Sequence, residues 1–326
     1  MMKSVRWGIL GAGKIAHSFV KDFPLLENAE LVAVASSSAE RAARFAAETN
    51  IPQALSYNEL YNSRDIDAVY IATTHNFHYD QILQSLLHGK HVLSEKPITV
   101  NDEQFSHLAQ VAAEQQVFLM EAVWTYFLPA IKKAKEWVDE KRLGEIRLLQ
   151  SDFGFVVEKK LAGRMYNPKL AGGALLDLGI YPVSAAYYFL GQLPKTIKAS
   201  ATFTETGVDE TVAIILQYEN LLATLSASLI SHPLNSTRIY GEKGYIEIPT
   251  FWKATTATLY DRDGNLLESY DDGRTSHGFI YEMQHANEKI LAGELQSDII
   301  PHSRSLAIQQ TLTEVRRQIG FKYPFE

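Results

Sequence analysis

The 326-residue sequence contains no cysteine, which excludes a disulfide framework and thiolate chemistry. It also lacks a basic tract, and its formal net charge is −7. That balance argues against a nucleic-acid partner and against binding to an anionic membrane surface, and leaves small molecules as the expected partners. Long hydrophobic runs are missing too. The stretch MMKSVRWGIL is too short and too interrupted for a signal peptide or a membrane span, so a cytoplasmic protein is expected. No repeat, low-complexity linker or metal motif occurs. What remains is ordinary globular composition, 46% hydrophobic and 21% charged, in a chain long enough that two domains are the expectation.

Short apolar runs alternate with helical patterns over the first 121 residues. Val5 to Leu10, Leu31 to Ala35, Ala68 to Ala72, His91 to Leu93 and Val117 to Met120 are the strand candidates. None alternates with period two, which suits strands covered on both faces in a parallel, doubly wound α/β sheet of Rossmann type. Residues 122–326 read differently. LPAIKKAKEWVDEKRLG is an amphipathic helix with Gly144 as its expected C-cap, and strand-rich segments follow one another after it. Turn signals at Glu219-Asn220, Gly241 to Gly244 and Asp263-Gly264 predict antiparallel hairpins. The second domain is therefore expected to be α+β with a mostly antiparallel sheet, closed by helices at about 279–292 and 303–319.

The first strand runs into GAGKIA. In a G-x-G-x-x-[GA] turn, Gly11 permits the tight bend, Gly13 admits a pyrophosphate close to the backbone, and small Ala16 lets helix pack on strand. Lys14 and Ile15 then open a helix whose N–H groups receive phosphate charge. An ordinary glycine turn is the alternative, but the position after a first strand and before a helix favours dinucleotide binding. No acid stands at the end of the second strand, LVAVASSSAER, where an NAD enzyme usually holds the ribose hydroxyls. Ser36 and Ser37 offer hydroxyls and Arg41 a guanidinium, which suits the 2′-phosphate of NADP and leaves NAD possible. A serine N-cap followed by a solvated arginine is the competing reading.

Two other stretches attract attention. In VLSEKPITVN, Lys96 follows a strand end beside Glu95, where ligands bind in doubly wound folds. A cis bond to Pro97 would fix its direction, and a surface lysine is the plain alternative. In GGALLDLGIYP, a helix opened by Gly172-Gly173 would place Asp177 and Tyr181 four apart on one face, with Pro182 expected to kink the chain near Leu178. A solvated acid and a core aromatic are the alternatives here. Thr73, Thr74, His75 and His78 in ATTHNFHYD follow a strand into the same crevice, as cofactor or substrate contacts or as satisfied loop groups. Arg164 before the double glycine would touch cofactor or substrate, or form a surface ion pair.

The GAGKIA turn, EKPITVN and GGALLDLGIYP resemble the glucose-fructose oxidoreductase, inositol dehydrogenase and rhizopine catabolism superfamily over essentially the whole chain. FLMEAVWTYFLPA, ETGVDETV and EVRRQIGFKYPFE are similar to its dihydrodiol dehydrogenase subgroup. The resemblance implies that Lys96 works with Asp177 and Tyr181. It also implies that Trp124, Phe153, Trp252 and Phe279 wall a substrate pocket, that Arg41 meets the 2′-phosphate, and that the chain forms a homodimer through its second sheet. One departure is that Ser37 stands where the subgroup has arginine. The expectation is an NADP-dependent dehydrogenase or reductase acting on an aldose or cyclic diol, with Tyr181 as acid/base. A cofactor-binding sensor and a sugar–sugar oxidoreductase that never releases its cofactor are the alternatives.

Overall fold

The computed structural model describes residues 3–326. Its chain divides into two compact units, Met1–Trp124 with Thr275–Leu306, and Thr125–Arg274 with Ala307–Glu326. The first unit alternates β1 (Val5–Leu10), α1 (Lys14–Asp22), β2 (Ala29–Ala35), α2 (Ala39–Thr49), β3 (Gln53–Leu55), α3 (Tyr57–Asn62) and β4 (Ala68–Ile71). It continues with α4 (His75–Leu87), β5 (His91–Glu95), α5 (Asp102–Glu114) and β6 (Leu119–Ala122).

The six strands form one sheet in the order β3-β2-β1-β4-β5-β6, and every pairing is parallel. Parallel crossovers place helices on both faces, so the central strands have no solvent side. All four residues of β4 are buried, as are Val92 to Glu95 of β5. That double burial is why the apolar runs showed no alternation. Strand order reverses between β1 and β4, and ligands of such sheets bind beyond the strand ends at that reversal. The sequence reading missed β3 and α3. The three residues Gln53 to Leu55 are exposed or half-buried, and so short a run carries no apolar pattern.

The observed units differ from the expected division at residue 121: the first runs to Trp124, and residues 275–306 pack with it. Their helix α8 (Ile280–Ala292) is held there by polar contacts that no hydrophobic pattern announces. The Asp22 carboxylate accepts the N–H groups of His277, Phe279 and Ile280 at 3.0, 2.9 and 3.3 Å, satisfying donors that a helix start leaves open. The Trp7 indole donates to Asn287 Oδ1 at 3.1 Å, and the Asn287 amide donates to the carbonyls of Glu27 and Asn28.

In the second unit, α6 (Pro129–Asp139) is followed by β7 (Ile146–Gly154), α7 (Ile180–Leu190), β8 (Thr196–Phe203), β9 (Asp209–Gln217) and β10 (Leu222–Ser228). Next come β11 (Ser236–Gly241), β12 (Gly244–Pro249), β13 (Thr256–Asp261) and β14 (Leu266–Asp271), and α9 (His302–Gln318) passes from the first unit into the second. The sheet order is β14-β13-β12-β11-β7-β10-β9-β8. Only β7 and β10 pair in parallel, and the hairpins β9–β10, β11–β12 and β13–β14 stand at the three expected turns. Helix α6 ends at Asp139 rather than Gly144, because Lys141 already takes the left-handed conformation at φ 56°. Helices α6 and α7 pack on one face of this sheet. Along the strands, buried residues alternate with partly exposed ones, the pattern of a sheet with one open face.

Candidate active site

In a parallel sheet every strand delivers its C-terminal residue to the same edge. Gly11, Ser36, the segment 73–75 and Lys96 therefore share one edge, after β1, β2, β4 and β5. Gly11 has φ 115°, and a Cβ there would lie 2.7 Å from the Ala72 carbonyl oxygen; no other residue fits. Gly13 differs. It caps α1 without a side-chain bond, and an added Cβ would meet nothing nearer than 3.8 Å. The fold itself does not require that glycine, and the space left there would admit a pyrophosphate lying on the first N–H groups of α1. Ala16 is fully buried against the sheet, while Lys14 and Ile15 open the helix with Lys14 exposed. These residues fit a dinucleotide.

At the end of β2 the serine N-cap is formed. Ser38 caps α2 by accepting the Arg41 N–H. The exposed Arg41 guanidinium donates to Ser37 Oγ at 2.7 Å, and Ser36 Oγ accepts the Ser38 N–H at 3.4 Å. Arg41 is thus tethered beside the strand end and exposed.

The Lys96–Pro97 bond is cis, and the turn is fastened by buried groups. Glu121 Oε1 accepts the Ile98 N–H at 2.9 Å, and Glu95 Oε1 accepts the Tyr70 hydroxyl at 2.5 Å. His78 is fully buried, with Nδ1 at 2.8 Å from the Pro97 carbonyl and Nε2 at 3.2 Å from that of Thr73. A neutral imidazole has one N–H, and the shorter contact is the hydrogen bond it donates to Pro97. The expectation that His78 contacts cofactor or substrate is corrected: its ring is spent inside the fold. Burial, above all, pushes its pKa down from 6.5 to about 4. Thr73 and Thr74 hydroxyls go to Gln81 and Asn76 at 2.5 and 2.7 Å, and His75, at the start of α4, packs edge-on to His78. Trp124 and Phe279 stack with ring centres 4.6 Å apart and 7° between planes.

The second unit carries the other group. Gly173 has φ 119° and Gly172 lies against the backbone of Arg164 and Met165, so the double glycine makes a close-packed bend. The expected α-helix then begins instead as a π turn, Leu175–Gly179, in which the Ile180 N–H reaches back to Leu175. The irregularity foreseen near Leu178 from Pro182 takes this form, and π turns recur at functional positions. Asp177, in that turn, is buried and receives Arg164 Nη1 at 2.7 Å and Nη2 at 3.4 Å. Arg164 thereby serves Asp177, a pairing its sequence neighbourhood did not show. Tyr181 is buried with its ring edge-on to Phe153 at 5.2 Å, and Phe153 stacks on Trp252 at 4.3 Å.

The structure thus brings together Asp177 with Arg164, Tyr181 with Phe153 and Trp252, and Trp124 with Phe279. The sequence reading missed Glu121 as a brace of the lysine turn; an acid inside the apolar run FLMEAV was the available signal, since a buried carboxylate needs a donor.

The sequence pattern of the oxidoreductase family with an NAD-binding Rossmann fold, GFO_IDH_MocA, matches residues 5–123, and that of the GFO/IDH/MocA C-terminal domain matches 131–247. The chain belongs to this family and is an NAD(P)-dependent oxidoreductase. It is 35% identical to trans-1,2-dihydrobenzene-1,2-diol dehydrogenase of Mus musculus over 98% of each chain. With the Xenopus laevis protein of that name it shares 34% identity over 98% of this chain and all of the other. A 3-ketoreductase from Actinomadura kijaniata, solved with NADP and TDP-benzene, superposes with a TM-score of 0.86 at 26% identity, covering 97% and 98% of the two chains. The fold is shared with an aldose-aldose oxidoreductase from Caulobacter crescentus, at TM-score 0.87 and 23% identity over 97% of each chain. No helix among the described residues is long and apolar enough to cross a membrane.

The neutral His78 makes a stability prediction. Its folded pKa is depressed, so the stability it confers is complete above the unfolded value of 6.5 and is lost as pH falls toward 4. The gap corresponds to roughly 3 kcal/mol. In urea unfolding, His78→Gln is expected to lose less stability than the parent between pH 7 and about 4.5. Parallel loss in both proteins would show that His78 is not the group being protonated.

Proposed function

We propose that the chain interconverts a secondary alcohol and its carbonyl in a small polyhydroxylated ring, an aldose such as D-xylose or a cyclic trans-diol, with NADP as cofactor. The observation that carries this reading is the buried Asp177, clamped by Arg164 and followed one turn later by Tyr181 within an aromatic setting. Ring C–H faces pack well on aromatic surfaces such as Phe153, Trp252, Trp124 and Phe279, while a few polar groups set orientation. When bound, the nicotinamide supplies hydride exchange. Tyr181 takes the hydroxyl proton in oxidation and returns it in reduction. Lys96 polarises the substrate oxygen, and an ammonium acting with a phenol favours the phenol's ionised form. Asp177 orients the tyrosine's surroundings. The name shared by the vertebrate relatives supports the diol, and the family resemblance supports joint action of Lys96 and Tyr181. Cytoplasmic residence accords with the cysteine-free composition.

Nicotinamide absorbance followed with a panel of aldoses and trans-diols tests the reading directly. Turnover of one member supports it, and none with either cofactor would leave a cofactor-binding sensor. Nucleotide surviving purification would point instead to a sugar–sugar oxidoreductase that retains its cofactor.

Tyr181→Phe is expected to lower kcat by about 10²- to 10⁴-fold, the usual worth of a positioned acid or base, with cofactor affinity intact. Lys96→Met should be at least as damaging, and its residual activity should show a basic limb displaced to higher pH. Near-normal turnover and pH profile in Tyr181→Phe would move the proton to Lys96 or Asp177.

Arg41→Ala is expected to raise KM for NADP and to leave KM for NAD nearly unchanged, because only the 2′-phosphate loses a charged donor. Equal weakening of both would make Arg41 a structural residue.

We further propose that the chain is a homodimer through the open face of its larger sheet. Leu222, Leu148, Tyr240, Tyr245 and Tyr260 sit in one cross-strand row there, partly exposed, with exposed Ile215 on the same face. So broad an apolar row on a sheet face favours a symmetric partner. Sedimentation should give a dimer at micromolar concentration, and a monomer would refute the assignment.

A further inference from the structure

Two stretches that resemble the subgroup, ETGVDETV and EVRRQIGFKYPFE, have no role in the reading above, yet both converge on one bend. Asp209, the first residue of β9, is 1% exposed, and its Oδ2 accepts the Leu175 N–H at 2.6 Å. Leu175 begins the π turn that holds Asp177. The other carboxyl oxygen presses on Gly173: a Cβ on that glycine would fall 2.2 Å from Asp209 Oδ1. From the C-terminal stretch, Tyr323 is buried and its hydroxyl donates to the Gly172 carbonyl at 2.8 Å. Behind it, the buried Arg316 lies over the Tyr323 ring at 5.0 Å and pairs with Glu326.

The bend so held touches both partners of the clamp. The Gly173 N–H donates to the Met165 carbonyl at 2.9 Å, and Gly172 has room for no Cβ beside the carbonyls of Arg164 and Met165. One side of the bend therefore fixes the backbone that carries Arg164, and the other starts the turn that carries Asp177 and leads to Tyr181. A buried carboxylate is costly unless it is hydrogen-bonded, and Asp209 Oδ2 takes the Leu175 N–H. The position of the bend that brings that donor to it is therefore favoured. Burial also raises its pKa to about 6, against the hydrogen bonds that lower it.

We propose that Asp209 and Tyr323 are positioning residues: a latch that sets where the π turn presents Asp177 and Tyr181, without touching substrate or cofactor. This rests on the reading of Tyr181 as the acid/base. A displacement of about 1 Å at a reacting group costs on the order of 10²-fold in rate, so the latch has a measurable effect through geometry alone.

The test is a double-mutant cycle with Tyr181→Phe. Asp209→Asn is expected to lower kcat by about 10- to 100-fold, with the NADP dissociation constant unchanged and little change in KM. Amide hydrogen exchange should quicken over 172–181 and not elsewhere in the chain. In the Tyr181→Phe background the effect of Asp209→Asn should shrink to about twofold or less, since groups acting as one unit are not additive. Tyr323→Phe removes one hydroxyl while keeping the ring, and it should reproduce the pattern at about 3- to 10-fold; it carries the cycle if Asp209→Asn does not fold. If Tyr181→Phe retains normal turnover, the acid/base reading fails, and the latch with it. If Tyr181→Phe is crippled but the latch variants keep parental kcat, or act with full effect in both backgrounds, the latch alone is overturned. Unchanged exchange over 172–181 in both variants would overturn it too.

Discussion

Parallel strand pairing is the constraint on which the first unit depends. Six strands running one way leave no choice about where their ends go, so the glycine turn, the serine–arginine pair and the lysine turn reach one edge although 85 residues separate Gly11 from Lys96. Such a sheet must be covered on both faces, and that requirement makes its core strands apolar throughout. Chemistry is then confined to the turns. At those turns the fold requires some residues, as the close Ala72 carbonyl requires Gly11, and leaves others unconstrained, as at Gly13, where it leaves open space.

Turns that carry chemistry need to be stiff, and here stiffness comes from buried polar groups. His78 and Glu121 hold the carbonyl and the N–H of the Pro97–Ile98 peptide, Asp22 holds the start of α8, and Asp209 holds the start of the π turn. Losing any of these bonds would strand a donor or acceptor away from water, at about 1–3 kcal/mol. That penalty makes the alternatives unfavourable and so selects one geometry. Apolar packing of equal strength would tolerate sliding, because it has no preferred direction.

The sequence made the first unit's order legible because doubly covered strands are continuous apolar runs, and because the glycine turn falls where β1 meets α1. The hairpins were legible from their turn residues. Residues 275–306 were not, since Asn287 and Asp22 join the helix to β1 and to the end of α1 across more than 250 residues, and local patterning carries no trace of such a bond. The role of His78 was ambiguous for the same reason: a histidine after a strand reads alike whether its ring turns outward or toward Pro97. Arg164 and Asp177 stand 13 apart, on opposite sides of a bend that only the double glycine hinted at. The π turn was hidden because one extra residue per turn leaves the sequence pattern almost unchanged.

The clamp on Asp177 bears on how labour is divided. A carboxylate gripped by both terminal nitrogens of a guanidinium has its plane fixed and part of its lone-pair capacity engaged. It is well suited to orienting a neighbour and poorly suited to swinging between donor and acceptor. Arg164 itself is half-exposed, with 52% of its side chain open to solvent against 9% for Asp177, so the pair lies at a boundary where the acid is sheltered and the base is wet. Contact strength alone would be modest in so exposed a setting. Its value is directional: the arginine is anchored at the glycine bend through its own backbone, so the same bend that launches the π turn also sets the reach of the group that restrains it. Asp177 is thereby fixed from both ends, which suits the framing part given to it in the proposed mechanism and accords with the proposal that Tyr181, whose ring packs on Phe153, carries the proton.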